Sequence, residues 1–232
     1  MERDPERVVA VVLAAGAGRR VGASEPKAFL TIGGRPMLAV AAGAAAASPA
    51  VGSLVVAAPL GWEDRARECL EGCGKPVTVI TGGATRQASV RAALDALAAG
   101  TQVVAVHDAA RPFAPPDLFS AVIDEVEERF PGVVPVVPVT DTVKQVVEGQ
   151  VLGTLDRERL GLAQTPQAFD VGILREAHER AVSSGAVLTD DASVLEHDGC
   201  IVKAIAGDPM NVKITTLLDL AQAEARMGGT DG

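Results

Sequence analysis

The chain has 232 residues, 48% of them hydrophobic, and a formal charge of −9. That length suits one α/β domain better than two small ones and supplies ample apolar material for a core. The acidic balance argues against general binding to nucleic acid or to an anionic membrane, and a 3% aromatic content with no Tyr offers no platform for stacking single-stranded bases.

In chain order, the first predicted element is the apolar run Val8 to Leu13. A run that short and that β-branched reads as a strand buried on both faces, as in a parallel sheet. It breaks into Ala14-Ala15-Gly16-Ala17-Gly18, where no side chain exceeds a methyl group. Such a loop lets backbone N–H groups approach phosphate oxygens. Arg19, Arg20 and Lys27 follow, so the stretch reads as an anion site. It fits neither common glycine fingerprint: GxGxxG would need glycine at Val21, and no GK[ST] tripeptide occurs.

Gly33-Gly34 marks a turn, and Pro36 starts a helix that Ser48-Pro49 ends. Leu54 to Ala58 is a second strand, Trp62 to Glu71 a short helix, and Val77 to Ile80 a third strand. That strand runs into a second glycine loop, Thr81 to Arg86, where Thr85 caps a helix that Gly100 terminates. Gln102 to His107 is a fourth strand, ending at Asp108, and Pro115-Pro116 opens a helix to Phe130. The alternation predicts a doubly wound parallel sheet with right-handed crossovers. Ligands bind such sheets outside the carboxyl ends of the strands, where the loops after Leu13, Ile80 and His107 all lie.

The pattern then changes. Two β-rich runs about Glu148-Gly149 read as a hairpin, and Pro135 and Pro138 argue against a regular central strand before it. The ribbon at about 138–157 has little helix nearby to cover it, and an isolated two-stranded ribbon is marginal in water. It is expected to pack on a second copy as the arm of a homodimer. Gln164 to Gln167 reads as a loop before a helix from Asp170 to Ser184. Leu188 to Asp191 opens a short helix, Ile201 to Ile205 is a strand, and Asn211 to Ile214 is extended. Thr216 and Asp219 have capping-box spacing for the last helix. With no internal repeat and no long linker, residues 1–232 are expected to form one domain.

Cys69, Cys73 and Cys200 show neither metal spacing nor an even-numbered disulfide framework. No apolar stretch reaches membrane-spanning length, and MERDPER lacks an apolar signal core, so a cytoplasmic enzyme is expected, with no membrane or nucleic-acid partner. His107, His178 and His197 have no Ser or Cys arranged as a nucleophile, and neither GxSxG nor HExxH is present. The chain offers cations instead: Arg20, Lys27, Arg111, Arg157 and Lys213. A phosphate monoester has a second pKa of about 6, so near neutral pH it is already a nucleophile. Its attack on a nucleoside triphosphate needs charge neutralisation and in-line placement more than a base. Asp108 is favoured as a ligand for Mg²⁺ between phosphate oxygens; the alternatives are a ribose hydroxyl or an ion pair with Arg111.

The motifs LAAGAGRRVGASEPKAFL, GGATRQASV, VHDAARPF, VTDTVK, TPQAF, LTDDASVLE and NVKIT, in this order, resemble the 2-C-methyl-D-erythritol 4-phosphate cytidylyltransferase family from about Val8 to Ala225. The resemblance implies a Rossmann-like α/β fold whose protruding β-arm pairs two subunits. It implies an Mg²⁺-dependent step of non-mevalonate isoprenoid biosynthesis, in which CTP and methylerythritol 4-phosphate give the CDP-alcohol and pyrophosphate. Ribitol 5-phosphate cytidylyltransferases share most of these motifs and are the alternative. By position, Arg20 and Lys27 are implied to stabilise charge on the α-phosphate, with Lys213 among the catalytic groups. Ala14, Ala15, Gly16 and Gly18 are implied around the triphosphate, Gly82, Gly83 and Ser89 at cytosine and ribose, and Asp108 at the metal. Arg111, Thr142, Arg157, Thr165, Thr189 and Lys213 are implied around the alcohol phosphate, Thr142 and Arg157 serving the neighbouring subunit's site. Two departures are Val21, where methionine is frequent, and Ala84-Thr85, where polar or acidic residues are frequent.

Overall fold

The computed structural model describes residues 3–16 and 25–228. β1 (Val8–Leu13) is buried on both faces from Val8 through Val12, as an unbroken apolar run requires. Two very short strands, β2 (Thr31–Ile32) and β3 (Arg35–Pro36), form a hairpin turned by Gly33 and Gly34, both at positive φ. Then α1 (Met37–Ala47), β4 (Ser53–Ala58), α2 (Glu63–Cys69), β5 (Val77–Thr81), α3 (Arg86–Asp95), β6 (Val103–Asp108) and α4 (Pro116–Asp124) alternate as the sequence predicts. Beyond them come β7 (Gly132–Pro138), β8 (Lys144–Val147), β9 (Gln150–Thr154), β10 (Gly161–Ala163), β11 (Gln167–Asp170), α5 (Val171–Ser184), α6 (Asp191–His197), β12 (Val202–Ala206) and α7 (Leu217–Gly228).

The main sheet has the order β10-β7-β11-β6-β1-β4-β5, with β12 on the other edge of β7. β6, β1, β4 and β5 are parallel, as are β7 and β12, whereas β10 and β11 run antiparallel to their neighbours. Side-chain alternation along β1 divides the core. Val8, Ala10 and Val12 pack with Leu38 and Ala42 of α1 and Phe119 and Val122 of α4. Val9 and Val11 pack with Val90 of α3, Leu174 of α5 and Leu195 of α6. A third, smaller core joins Ile32, Met37, Ile214 and Ala223, and so ties α7 to the β2–β3 hairpin.

Three features differ from the sequence reading. α4 ends at Asp124, not Phe130: Pro131 disfavours helical backbone at Phe130, and reciprocal hydrogen bonds between Glu127 and Phe130 close a turn instead. Gln164 to Gln167 is only partly loop, because Gln167 begins β11, which inserts antiparallel between β6 and β7. Four residues with buried polar Gln167 at their head carry no strand periodicity. Pro135 and Pro138 do lie in a strand paired on both edges. The Pro135 carbonyl accepts the Gln164 N–H at 2.8 Å, so its missing N–H faces the same edge. There the β11 ladder has ended at Val133 and the β10 ladder begins at Val136, so no strand hydrogen bond is lost.

The ribbon β8–β9 turns through Glu148 (φ 49°) and Gly149 (φ 79°), the mirror-image turn that matches strand twist. Among the described residues it pairs with no other strand. Val146, Val147, Val151 and Leu152 are each at least half exposed, so both of its faces present apolar surface.

Candidate active site

The chain ends β1, β5 and β6 on one rim, and the three loops leaving them enclose a cleft of about 480 Å³. Ala14, Ala15 and Gly16 line one side, Gly83, Arg86 and Ser89 another, and Lys27, Asp108, Lys213 and Thr215 are its other polar or charged lining groups apart from Thr85. The glycines are required by close approach. A Cβ at Gly82 would stand 2.4 Å from the Ala15 Cβ, and one at Gly83 would stand 2.4 Å from the Ala88 Cβ. The Gly82 N–H donates to the Ala58 carbonyl at 2.7 Å. Ser89 Oγ accepts from the Gly83 N–H and donates to the Thr85 carbonyl, both at 3.0 Å. The second glycine loop is therefore fastened to the first turn of α3, which Thr85 caps through the Ala88 N–H.

Asp108 ends β6 beside Leu13 of β1. Its N–H donates to Thr165 Oγ1 at 3.0 Å, and its carboxylate faces Lys213 Nζ at 2.6 Å and Arg86 Nε at 3.6 Å. Burial alone would raise its pKa, but Arg86 and then Lys213 outweigh it and hold the carboxyl down at about 2. It is ionised throughout the neutral range. Among the described residues no three His, Cys, Asp or Glu groups are placed to hold a metal ion by themselves. A divalent cation here would rest on this one carboxylate and on ligand phosphate oxygens, which is how Mg²⁺ is commonly held. Oδ1 suits that role, since its Arg86 contact is a loose ion pair.

Arg86 is the group that sequence reasoning missed. It begins α3, lines the cleft, and reaches Asp191 Oδ2 at 2.7 Å. Asp191 is fully buried, and His178 Nε2 lies 3.3 Å from its other oxygen. A cation in the first turn of a helix opposes the helix dipole. That mismatch at Arg86 was the available signal that carboxylates lie nearby. Burial lowers the Arg86 pKa, but Asp191 and then Asp108 reverse this and raise it overall.

His107 is a structural group. It is fully buried, with Nδ1 3.0 Å from Thr165 Oγ1 and Nε2 3.0 Å from the Arg111 carbonyl. The Arg111 carbonyl can only accept, so Nε2 carries the proton and donates to it, and Nδ1 accepts from the Thr165 hydroxyl. Burial pushes the imidazole pKa down to about 4, which keeps this tautomer neutral.

Of the other expected residues, Lys27 lines the cleft, whereas Arg111, Thr142, Arg157, Thr165 and Thr189 are not part of its lining. Arg111 forms no ion pair with Asp108; its guanidinium donates to the carbonyls of Asn211 (2.8 Å) and Ala163 (3.1 Å). Thr165 is buried beneath Asp108. Thr189 is exposed just before Asp190, the N-cap of α6. Thr142 and Arg157 are exposed at the base of the ribbon, where Arg157 Nη1 donates to the Thr140 carbonyl. Gly18 and Arg20, with Arg19 and Val21, lie outside the described residues. Lys27 Nζ donates to the Ile214 carbonyl, next to Lys213.

A family model described as IspD, 2-C-methyl-D-erythritol 4-phosphate cytidylyltransferase, matches residues 8–229. The 2-C-methyl-D-erythritol 4-phosphate cytidylyltransferase of Streptomyces coelicolor is 45% identical over 234 residues, covering 96% of this chain and 86% of the relative. The crystal structure of the Thermus thermophilus protein of that name superposes with a TM-score of 0.78 at 36% identity, covering 94% of this chain and 98% of that one. The 4-diphosphocytidyl-2C-methyl-D-erythritol synthase of Anaerococcus prevotii superposes with a TM-score of 0.84 at 28% identity, covering 95% and 98%.

Proposed function

The chain belongs to the 2-C-methyl-D-erythritol 4-phosphate cytidylyltransferase family, and from that premise we propose how its residues divide the reaction. The enzyme transfers the cytidylyl group of CTP to 2-C-methyl-D-erythritol 4-phosphate and releases pyrophosphate, a step of non-mevalonate isoprenoid biosynthesis. An oxygen of the acceptor phosphate attacks the α-phosphorus in line, and the bond from that phosphorus to the bridging oxygen breaks. The electron pair leaves with pyrophosphate. Two anions must meet, so the barrier is electrostatic before it is chemical.

The reading is carried by one observation: Lys27, Arg86 and Lys213 share a cleft with a single ionised carboxylate. Lys27, with Arg20, neutralises charge that grows on the α-phosphate. The amides of the loop from Ala14 to Gly18 receive the triphosphate. Gly82, Gly83 and Ser89 receive cytosine and ribose. Asp108 and phosphate oxygens hold Mg²⁺, which when bound supplies further neutralisation of the triphosphate. Lys213 faces the acceptor phosphate, with Arg111 and Thr189 at the edge of that site and Thr165 supporting it from beneath Asp108. Thr142 and Arg157 reach the acceptor of a neighbouring subunit. Residues 1–232 act as one transferase domain, placed in the cytoplasm where CTP is available; among the described residues no helix is long and apolar enough to cross a membrane.

The two-faced apolar ribbon supports a homodimer, because among the described residues neither of its faces finds cover. Deleting residues 144–154 should leave monomers by light scattering, and a persistent dimer would refute the arm. The activity is tested by pyrophosphate release from CTP and Mg²⁺ with each alcohol phosphate in turn. Methylerythritol 4-phosphate should turn over. Turnover with ribitol 5-phosphate alone would reassign the acceptor.

A further inference from the structure

The segment between β12 and α7 carries Lys213 and Thr215 into the cleft without regular secondary structure of its own. It is held by side-chain hydrogen bonds from inside the fold. Asn211 is fully buried, and its Nδ2 donates to the Thr165 carbonyl at 2.8 Å and to Gln164 Oε1 at 3.3 Å. The Asn211 carbonyl accepts from Arg111 Nη1 at 2.8 Å and from Gln164 Nε2 at 3.3 Å. Gln164 also accepts the Asp208 N–H at 3.1 Å and donates to the Asp208 carbonyl at 2.8 Å. The packing is tight: a Cβ at Gly207 would stand 2.7 Å from Gln164 Oε1.

Thr165 joins this knot to the cleft. Its hydroxyl accepts the Asp108 N–H, while its carbonyl accepts from Asn211. The two members of the Lys213–Asp108 pair therefore hang from one residue, Asp108 through the hydroxyl and Lys213 through Asn211, two positions before it. Only an amide serves at that place. Both oxygens that face Asn211 Nδ2 are acceptors, so a carboxylate would repel them, and an alkyl group would leave the Thr165 carbonyl without this donor.

We propose that Asn211, backed by Gln164, is a positioning residue that sets Lys213 Nζ in the cleft. This rests on the reading above that Lys213 acts on the bound anions. Placing a charge with ångström accuracy matters because a small misplacement of a reacting group costs rate steeply. The role is distinct from general support of the fold, because the Asn211 amide is linked to the cleft through Thr165 and Lys213.

The test is a double-mutant cycle on kcat/KM for methylerythritol 4-phosphate, read by pyrophosphate release, with thermal unfolding as a check. Asn211→Ala should lower kcat/KM by about 10-fold or more in the wild-type background and by no more than about 2-fold when Lys213→Ala is already present. Equal losses in both backgrounds would show plain structural damage and overturn the proposal. If Asn211→Ala does not fold, Gln164→Ala enters the same cycle with the same expected non-additivity. If Lys213→Ala alone keeps wild-type kcat/KM, the reading of Lys213 fails and the proposal fails with it. If Lys213→Ala is slow while Asn211→Ala is not, the reading of Lys213 stands and the positioning role falls.

Discussion

Replacing Lys27 by Ala should lower turnover at saturating CTP by about 10²-fold or more, the usual effect of removing one preorganised stabiliser of developing charge. Lys27 lines the cleft, and its ammonium is held on the Ile214 carbonyl beside Lys213. That carbonyl belongs to a segment anchored in the third core through the fully buried Ile214 side chain. The charge is thus in place before substrate arrives and needs little reorganisation during reaction. Ala14 to Gly16 and Arg86 still line the cleft when Lys27 is lost, so kcat should fall more than the KM for CTP rises. Lys27→Arg should recover only part of the rate, since a planar guanidinium cannot occupy the position of a compact ammonium. Pyrophosphate release measures both variants, and a Lys27→Ala enzyme within a few-fold of wild type would show the role to be misassigned.

Asp191→Asn should destabilise the fold by about 3 kcal/mol, toward the low end for breaking a buried ion pair because Asp108 still faces Arg86. At this chain length that is a fall in Tm of roughly 6–12 °C. Asp191 has no exposed surface, and its loss leaves the inner side of Arg86 without its 2.7 Å partner. Burial alone would raise the Asp191 pKa; Arg86 and then His178 overcome it and hold the carboxyl below its ordinary value. A carboxyl depressed by folding contributes stability above its unfolded pKa of about 3.9, and loses it as pH falls through the lower folded value. The wild-type advantage over Asp191→Asn should therefore be constant near neutrality and shrink below about pH 4. Thermal unfolding at several pH values measures it, and equal Tm values at pH 7 would show that the buried pair contributes nothing.

Much of the cleft was legible because its signals are local. An apolar run followed by residues no larger than alanine, as in Val8 to Gly16, announces a strand and a turn of small residues, found at the cleft, without reference to the rest of the chain. Asp108 was legible for the same reason, as the first charge after a buried strand. What escaped depends on residues distant in sequence. Arg86 shows in sequence only a mismatch with its helix dipole; its role appears when Asp108 and Asp191 are seen on either side of it. Arg111 looked like a partner for Asp108 by spacing, yet backbone carbonyls from two other segments claim it. β11 was hidden because burial of Gln167 is set by the sheet it enters and by its bond to Asp190, not by any periodicity of its own. Pro135 misled because the rule against proline in central strands assumes an unbroken ladder on both edges.

Cleft cations are expected to bring together two anions, one of them already nucleophilic, with no base drawn from the enzyme. The most direct test is the pH dependence of kcat/KM for the acceptor, repeated with a phosphonate analogue of higher second pKa. The rate should rise through one ionisation, near pH 6 for the natural phosphate, and that limb should move upward with the analogue's own pKa. A limb that stays at the same pH with both acceptors would belong to an enzyme group acting as a base, and would contradict the account.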